Sequence, residues 1–517
     1  MAEGDCVLGI DKGTSVVKAV AFAPDGRQLA IGRRRIDSLH PHPGWHEEDP
    51  DRSWSLTCEA VREALAALPE GSVVRGVGVT AHMGGAWLID ENGAPVRNAI
   101  CWSDGRAHRE QAALGRDGLD RFFELSGNAP MPGVTVMVMR HLLNEEPDVL
   151  DRAAHVLIGK DFIRYRLTGS IATDPSDVSW IPGDAETSGY SEELFELCGL
   201  GPVRHLFPPI MGSGEIAGQV TEEAARETGL PAGTPVVTGL ADGPANATGA
   251  GVLHEGQAVT VLGTSCLNEV AVESVEREPF GLGFLWTLPN LNRIRVLPNT
   301  AGTMSIDWIL RTVCPDLFDG QSFRFDEIQR LVEETPPGSG GVVMIPYLNE
   351  GGVLAPFFDP LARGTIYGVS AQTTRGQLVR ATFEGLAFAI RDCYEAMPVD
   401  RLPERIRVTG GGASSPLLCQ MIADLTGSPT EVLAITEAGA AGVAMLAAVA
   451  TGMAPDLDAV AARWCRPQTT YEPDEARRDQ LEDAYRLYVQ TRDATRALSE
   501  QRRRVEEAGE AGRRLPA

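Results

Sequence analysis

No CxxC pair occurs in this 517-residue chain, and its nine cysteines form an odd set scattered from Cys6 to Cys465. That distribution supports neither a zinc site nor a disulfide framework, so a reducing compartment is expected. Positive charge is scarce as well. Against 71 Asp and Glu there are 46 Lys and Arg, which leaves a net charge of -25 and a pI near 4.8. Nucleic acids and anionic membranes are recognised through basic fields, so neither is an expected partner. Long apolar runs are absent too: the longest small-residue apolar segment, 438–450, is too short to span a bilayer. The sequence opens without an extended apolar signal segment, and a cytoplasmic location is expected.

Glycine and proline are plentiful, at 56 and 34 residues, and the apolar content of 43% is ordinary for a globular protein. The length is too great for one core and fits two large domains. The stretch Val236 to Ser265 suggests where they meet. A short apolar run at Pro235-Val236-Val237 enters a loop with one carboxylate, Asp242, followed by small residues from Ala245 to Gly251. A second apolar run, Ala258 to Leu262, then ends in Gly263-Thr264-Ser265, the tripeptide that also follows the first apolar run at Gly13-Thr14-Ser15. The chain thus starts over, with expected domains at 1–251 and 252–476 and a charged helix and frayed tail at 477–517.

The opening reads as three antiparallel strands, 6–10, 16–22 and 28–35, turned at Asp11 to Ser15 and at Pro24-Asp25-Gly26. Taken alone, Asp11 to Ser15 is either a hairpin turn whose Asp caps its own backbone or a loop able to hold phosphate and Mg²⁺ together. Asp49-Pro50 caps a helix running to about Ala67, and a strand at 73–79 leads into Thr80-Ala81-His82-Met83-Gly84-Gly85. In the later half a long helix over 374–397 precedes a strand at 405–409, which runs into Gly410-Gly411-Gly412-Ala413. Ser415 and Pro416 then open another helix, so a ligand can approach backbone amides there. An acidic protein can bind ATP if its phosphate site is built locally in this way.

In order along the chain, these residues resemble the FGGY family of carbohydrate kinases. Gly9-Ile10-Asp11 with Gly13-Thr14-Ser15 is similar to the family's first phosphate loop, and Pro43-Gly44-Trp45 with Glu48-Asp49-Pro50 and Trp54 to the segment after it. Trp102, Asp104 and Arg106 match its WxDxR element, and Lys160-Asp161-Phe162 through Gly169 its KDYxRYxLTG run. Gly364 to Val369 with Gln377-Leu378 and Ala381 to Glu384 fit its second signature, while Gly410 to Ala413 and Thr436 to Ala440 match its nucleotide-side motifs. The resemblance implies an α/β protein of two actin-like ATPase (ribonuclease H-like) domains around a central cleft, each with a five-stranded mixed sheet.

It also implies ATP-dependent phosphorylation of a hydroxyl on a small sugar or polyol. Asp242 takes the family's catalytic position and Asp11 the Mg²⁺ position. Gly13, Thr14, Ser15, Gly263, Thr264 and Ser265 would contact phosphates, and Gly411 and Gly412 the adenosine. His82, Met83, Gly84 and Asp242 would meet the acceptor, with a homodimer as the assembly considered. Overall likeness is greatest to ketopentose kinases of the xylulokinase kind, whereas kinases of L-xylulose and of tetritols such as erythritol share the His82 loop and the Gly-Leu-x-Asp segment at 239–242. Two positions depart from the family: Val138 stands where the first signature has lysine, and Gly84 where a histidine commonly meets a pentulose. A non-catalytic sugar-binding regulator would lack Asp11 or Asp242, and a sugar-independent ATPase would not need the Trp102 element.

Overall fold

The computed structural model describes residues 4–397 and 402–513. It comprises two compact units, the first made of Met1–Glu255, Ala271–Arg295 and Ala434–Arg466, and the second of Gly256–Val270, Val296–Leu433 and Pro467–Ala517. A single division near residue 251 describes the chain up to that point; beyond it, two segments return to the first unit.

The sheet of the first unit runs in the order Gln28–Arg35, Val16–Phe22, Asp5–Lys12, Val73–Ala81, Pro235–Val237, Ile216–Gln219, with Leu240–Ala241 also on Val73–Ala81. The first three strands are antiparallel neighbours, as their turns predict, whereas Asp5–Lys12 and Val73–Ala81 are parallel. Seven strands replace the five that the resemblance implies. On one face, Trp54, Leu56, Ala60 and Val61 of the Pro50–Ala66 helix pack with Phe162 and Leu167 of the Gly159–Thr168 helix into the core. Asp49 caps the first of these helices through its side chain, and Pro50 occupies its first turn.

The Ala438–Ala450 helix belongs to this unit because its partners leave it no room for larger side chains. Gly9 and Gly78 are paired across adjacent strands, and a Cβ on either would overlap the carbonyl of Ala440 or Val443. Against the Asp242–Gly249 helix the contact is equally close, since a Cβ on Gly249 or Gly442 would strike backbone of the opposing helix. Small residues therefore let this segment lie directly on sheet and helix, and the Thr436 to Ala440 motif, assigned with the Gly410 loop to the domain 252–476, is folded with Asp11.

In the second unit, Cys266–Val272, Ala258–Leu262, Ile406–Thr409, Thr430–Leu433 and Pro467–Tyr471 are consecutive in one sheet, with the two central pairings parallel. The Arg375–Ala396 helix opens on a capping box between Thr374 and Gln377. Its Glu384 accepts from Gly338 N–H (3.0 Å), Ser339 Oγ (2.8 Å) and Arg380 Nε (2.6 Å), so this part of the second signature anchors the fold. The Glu475–Arg513 helix continues through the stretch expected to fray, because Ala, Glu, Gln and Arg are strong helix formers. Residues 514–517 of the expected tail lie outside the described residues. Among the described residues no helix is long and apolar enough to cross a membrane.

Candidate active site

Strand pairing brings positions 11 and 242 together. Asp11 pairs in register with Thr80, and Thr80 with Leu240, so the chain leaving that short strand at Ala241 delivers Asp242 beside Asp11. Asp242 opens the Asp242–Gly249 helix, and its Oδ1 accepts from Gly243 N–H at 3.0 Å. Burial and then the charge of Asp11 push its carboxyl up to about 7, against the opposing pull of the Gly243 and Met83 amides. Burial likewise raises Asp11 to about 6, with Lys18 lowering it and Glu437 raising it. Lys18 in turn is held by Glu437 at 2.7 Å.

Successive strand side chains alternate faces, which sends Lys12 away from Asp11. Its ammonium is fully buried, 2.5 Å from Glu48 Oε2 and 2.9 Å from His82 Nε2. Burial raises the Glu48 carboxyl, but Lys12 and His82 outweigh it and hold Glu48 well below the usual range. Burial and the Lys12 charge lower His82, so its imidazole is neutral. His82, expected to meet the acceptor, is 1% exposed, with Nε2 on Lys12 and Nδ1 buried without a hydrogen-bond partner. The loop approaches Asp242 through the Met83 amide instead. Sequence reading passed over Lys12 and gave Glu48 no role beyond a motif match; the available signal was a lysine inside an otherwise apolar strand.

Gly84 has φ +71, and a Cβ there would stand 2.9 Å from the Trp180 ring and 3.1 Å from the Gly133 carbonyl. The family histidine is therefore excluded by the backbone and by Trp180. Trp180 packs against Trp286 with centroids 6.1 Å apart, and Trp286 lies so close over Gly243 that a Cβ there would overlap its ring. Trp102 donates from Nε1 to Thr14 Oγ1 (3.1 Å), tying the WxDxR element to the first Gly-Thr-Ser loop. Its other charged members serve the fold: Asp104 accepts from His46 N–H and from Arg106, whose guanidinium lies 3.8 Å over the Trp45 ring. Val138 is fully buried beside Met137 and Met139 on the Thr135–Glu145 helix.

The donor set around Asp11 suits a hard cation. Asp11 Oδ2 and Asn246 Oδ1 lie 3.2 and 3.5 Å from the place a Cβ on Gly439 would take, so oxygen atoms converge where glycine leaves space. His46, Glu48 and Cys101 also approach within 4.8 Å of one another. That second group does not suit a metal, because Lys12 already neutralises Glu48 and both His46 ring nitrogens are on hydroxyls of Ser103 and Ser38.

In the second unit, Gly263 ends the Ala258–Leu262 strand; its N–H donates to the Ser265 carbonyl (2.9 Å), while Thr264 and Ser265 are exposed. The glycine loop lies beside it, since a Cβ on Gly412 would overlap Leu262 and one on Gly410 would stand 2.7 Å from the Leu262 carbonyl. Gly411 faces open space. Past this loop, a cavity of about 180 Å³ is lined by Phe325, Ile328, Gln329, Phe383 and the Ser414 to Leu417 turn, apolar walls with polar rims that fit a flat heterocycle.

Comparison with known proteins shows the family. Models of the FGGY family of carbohydrate kinases match at residues 6–249 for the N-terminal domain and 258–451 for the C-terminal domain. An erythritol kinase from Brucella abortus is 35% identical over 511 residues, covering 96% of this chain and 97% of that protein. An L-xylulose/3-keto-L-gulonate kinase from Escherichia coli is 30% identical over 505 residues, covering 93% and 95%. A crystal structure of xylulose kinase from Rhodospirillum rubrum superposes with a TM-score of 0.87 at 27% identity, covering 96% of this chain and 100% of that one.

Proposed function

We propose that this chain, which belongs to the FGGY family of carbohydrate kinases, transfers the γ-phosphoryl group of ATP to a hydroxyl of a tetritol. Its phosphotransferase activity follows from the family; the acceptor and the residue roles are our inference. The observation that carries the acceptor is the 35% identity, along nearly the whole of both chains, with an erythritol kinase. A ketopentose is the second reading, favoured by the 30% identity with an L-xylulose/3-keto-L-gulonate kinase. Trp180 on Gly84 and Trp286 on Gly243 leave no room for a side chain at either glycine, so the loop can meet the acceptor there only through backbone.

Phosphoryl transfer requires the two oxygens in line with phosphorus and the negative charge offset, with little covalent chemistry left for the protein. Asp242 accepts the proton of the attacking hydroxyl and aims its oxygen. A carboxyl raised to about 7 is poised for that exchange near neutral pH. Asp11, with Asn246 beside it, would hold Mg²⁺, which when bound offsets phosphate charge. Gly13 and Gly263 close the two turns with their own N–H groups, on the Val16 and Ser265 carbonyls, and so turn the amides and hydroxyls of Thr14, Ser15, Thr264 and Ser265 toward phosphate oxygens. Gly411 and Gly412, beside the cavity at Phe325, serve the adenosine. His82 supports the loop from beneath through Lys12, and Met83 and Gly84 present backbone to the acceptor.

A coupled ADP-release assay across erythritol, D-threitol, L- and D-xylulose, glycerol and gluconate tests the acceptor. The highest kcat/KM is expected with a tetritol. A pentulose that exceeds every tetritol replaces this reading with the second.

A further inference from the structure

Beneath the segment that delivers Asp242 lies a buried group of charges that the transfer chemistry does not use. The Lys160 ammonium, fully buried, sits 2.5 Å from Asp161, 3.2 Å from Asp174 and 3.2 Å from Asp177, and Arg164 NH1 lies 2.8 Å from Asp161. Burial raises the Asp177 carboxyl well above its usual range.

This cluster meets three of the four residues that precede Asp242. Arg164 NH1 donates to the Thr238 carbonyl at 3.1 Å. The Lys160 stem lies 3.2 Å from the place a Cβ on Gly239, at φ +91, would take. Ser176 Oγ donates to Asp174 (2.8 Å) and accepts the Ala241 N–H (2.9 Å), the amide immediately before Asp242. Asp174 also receives Ser213 Oγ at 2.6 Å, a second buried hydroxyl, while the Ala241 N–H goes to Ser176.

We propose that Ser176, oriented by the Lys160–Asp174 pair, is a positioning residue that sets where the Asp242 carboxylate stands relative to the acceptor hydroxyl. Reactions of this kind are sensitive to small displacements of the proton acceptor, so losing one anchoring hydrogen bond should appear in turnover rather than in binding. The inference rests on the role given to Asp242 above.

The test compares Ser176→Ala with Ser213→Ala, assayed with ATP and the best acceptor of the panel. Both variants remove a buried hydroxyl from Asp174, and only the first releases Ala241. Ser176→Ala is expected to lower kcat about tenfold with KM for ATP unchanged, while Ser213→Ala keeps the parent kcat. Equal losses in the two variants, or parent kcat in Ser176→Ala, would overturn the proposal. Should Ser176→Ala not fold, amide hydrogen exchange on the unsubstituted protein decides. The Ala241 amide is expected to exchange as slowly as the core of the Val73–Ala81 strand, and exchange at loop rates refutes the anchor. Asp242→Asn in the same assay keeps the two inferences apart. Parent-like turnover there removes Asp242 from catalysis, whereas an inactive Asp242→Asn beside a parent-like Ser176→Ala overturns only the positioning.

Discussion

Asp11 and Lys12 are consecutive residues of one strand, and they show two ways of burying charge. On Lys12's face the charges are offset: the buried ammonium meets the Glu48 carboxylate and His82 Nε2, which leaves only His82 Nδ1 of that ring without a partner. On Asp11's face the balance stays open, because Asp242 adds a second carboxylate and both are pushed up toward neutrality. A closed group stabilises the fold; an open one waits for a ligand of opposite charge. Perturbed carboxylates that no protein cation fully offsets are therefore the better guide to chemistry here than burial or ion pairing alone.

Breaking the closed side should have the largest effect. Lys12→Met leaves Glu48 and His82 buried without their cation, and a loss of about 3–5 kcal/mol is expected for such a pair. Urea unfolding should register it as a lower midpoint for the first transition. Adding Glu48→Gln to the same protein should recover part of the loss, since the stranded charge is then gone. An unchanged midpoint in Lys12→Met would mean that water reaches Glu48.

On the open side the signs reverse. Asp242→Asn should lower kcat by a factor on the order of 10² or more. It should also raise the melting temperature at pH 7.5 without nucleotide, because it removes one of two repelling carboxylates. A variant that is both inactive and less stable than the parent would contradict the repulsion.

The smallest effect concerns pH and sharpens the same contrast. Asp242 is raised from 3.8 to about 7 in the fold, so the native state binds more protons than the unfolded chain between those values. Its contribution to stability is therefore present at low pH and lost as pH rises toward 7. Glu48 is depressed, and its contribution is present at neutral pH and lost only in strong acid. The melting temperature of the parent relative to Asp242→Asn should decline from pH 5 to pH 7.5, and in metal-limited assays kcat should fall as pH drops through about 7. A flat difference across that range would show that Asp242 titrates normally.

Much of the fold was legible because local rules produce it. The Asp49-Pro50 and Ser415-Pro416 helix starts, the opening meander and the capping box at Thr374 all lie where short-range stereochemistry puts them. The carboxylates Asp11 and Asp242 were legible too, through the ordered motifs around them. His82 and Gly84 were not. Whether a histidine meets substrate or lies under the loop depends on Lys12, which is 70 positions away in the chain, and whether Gly84 tolerates a side chain depends on Trp180.

The sequence by itself determined the local elements, the kinase family and the motifs that carry Asp11 and Asp242, since those depend on residue identity and near-neighbour spacing. Only the tertiary structure decided that 438–450 packs on the first sheet, that Lys12 closes one face of its strand and that Ser176 reaches the backbone before Asp242. Each of those depends on which atoms meet across long separations, and packing and electrostatic compensation are properties of the meeting, not of either residue.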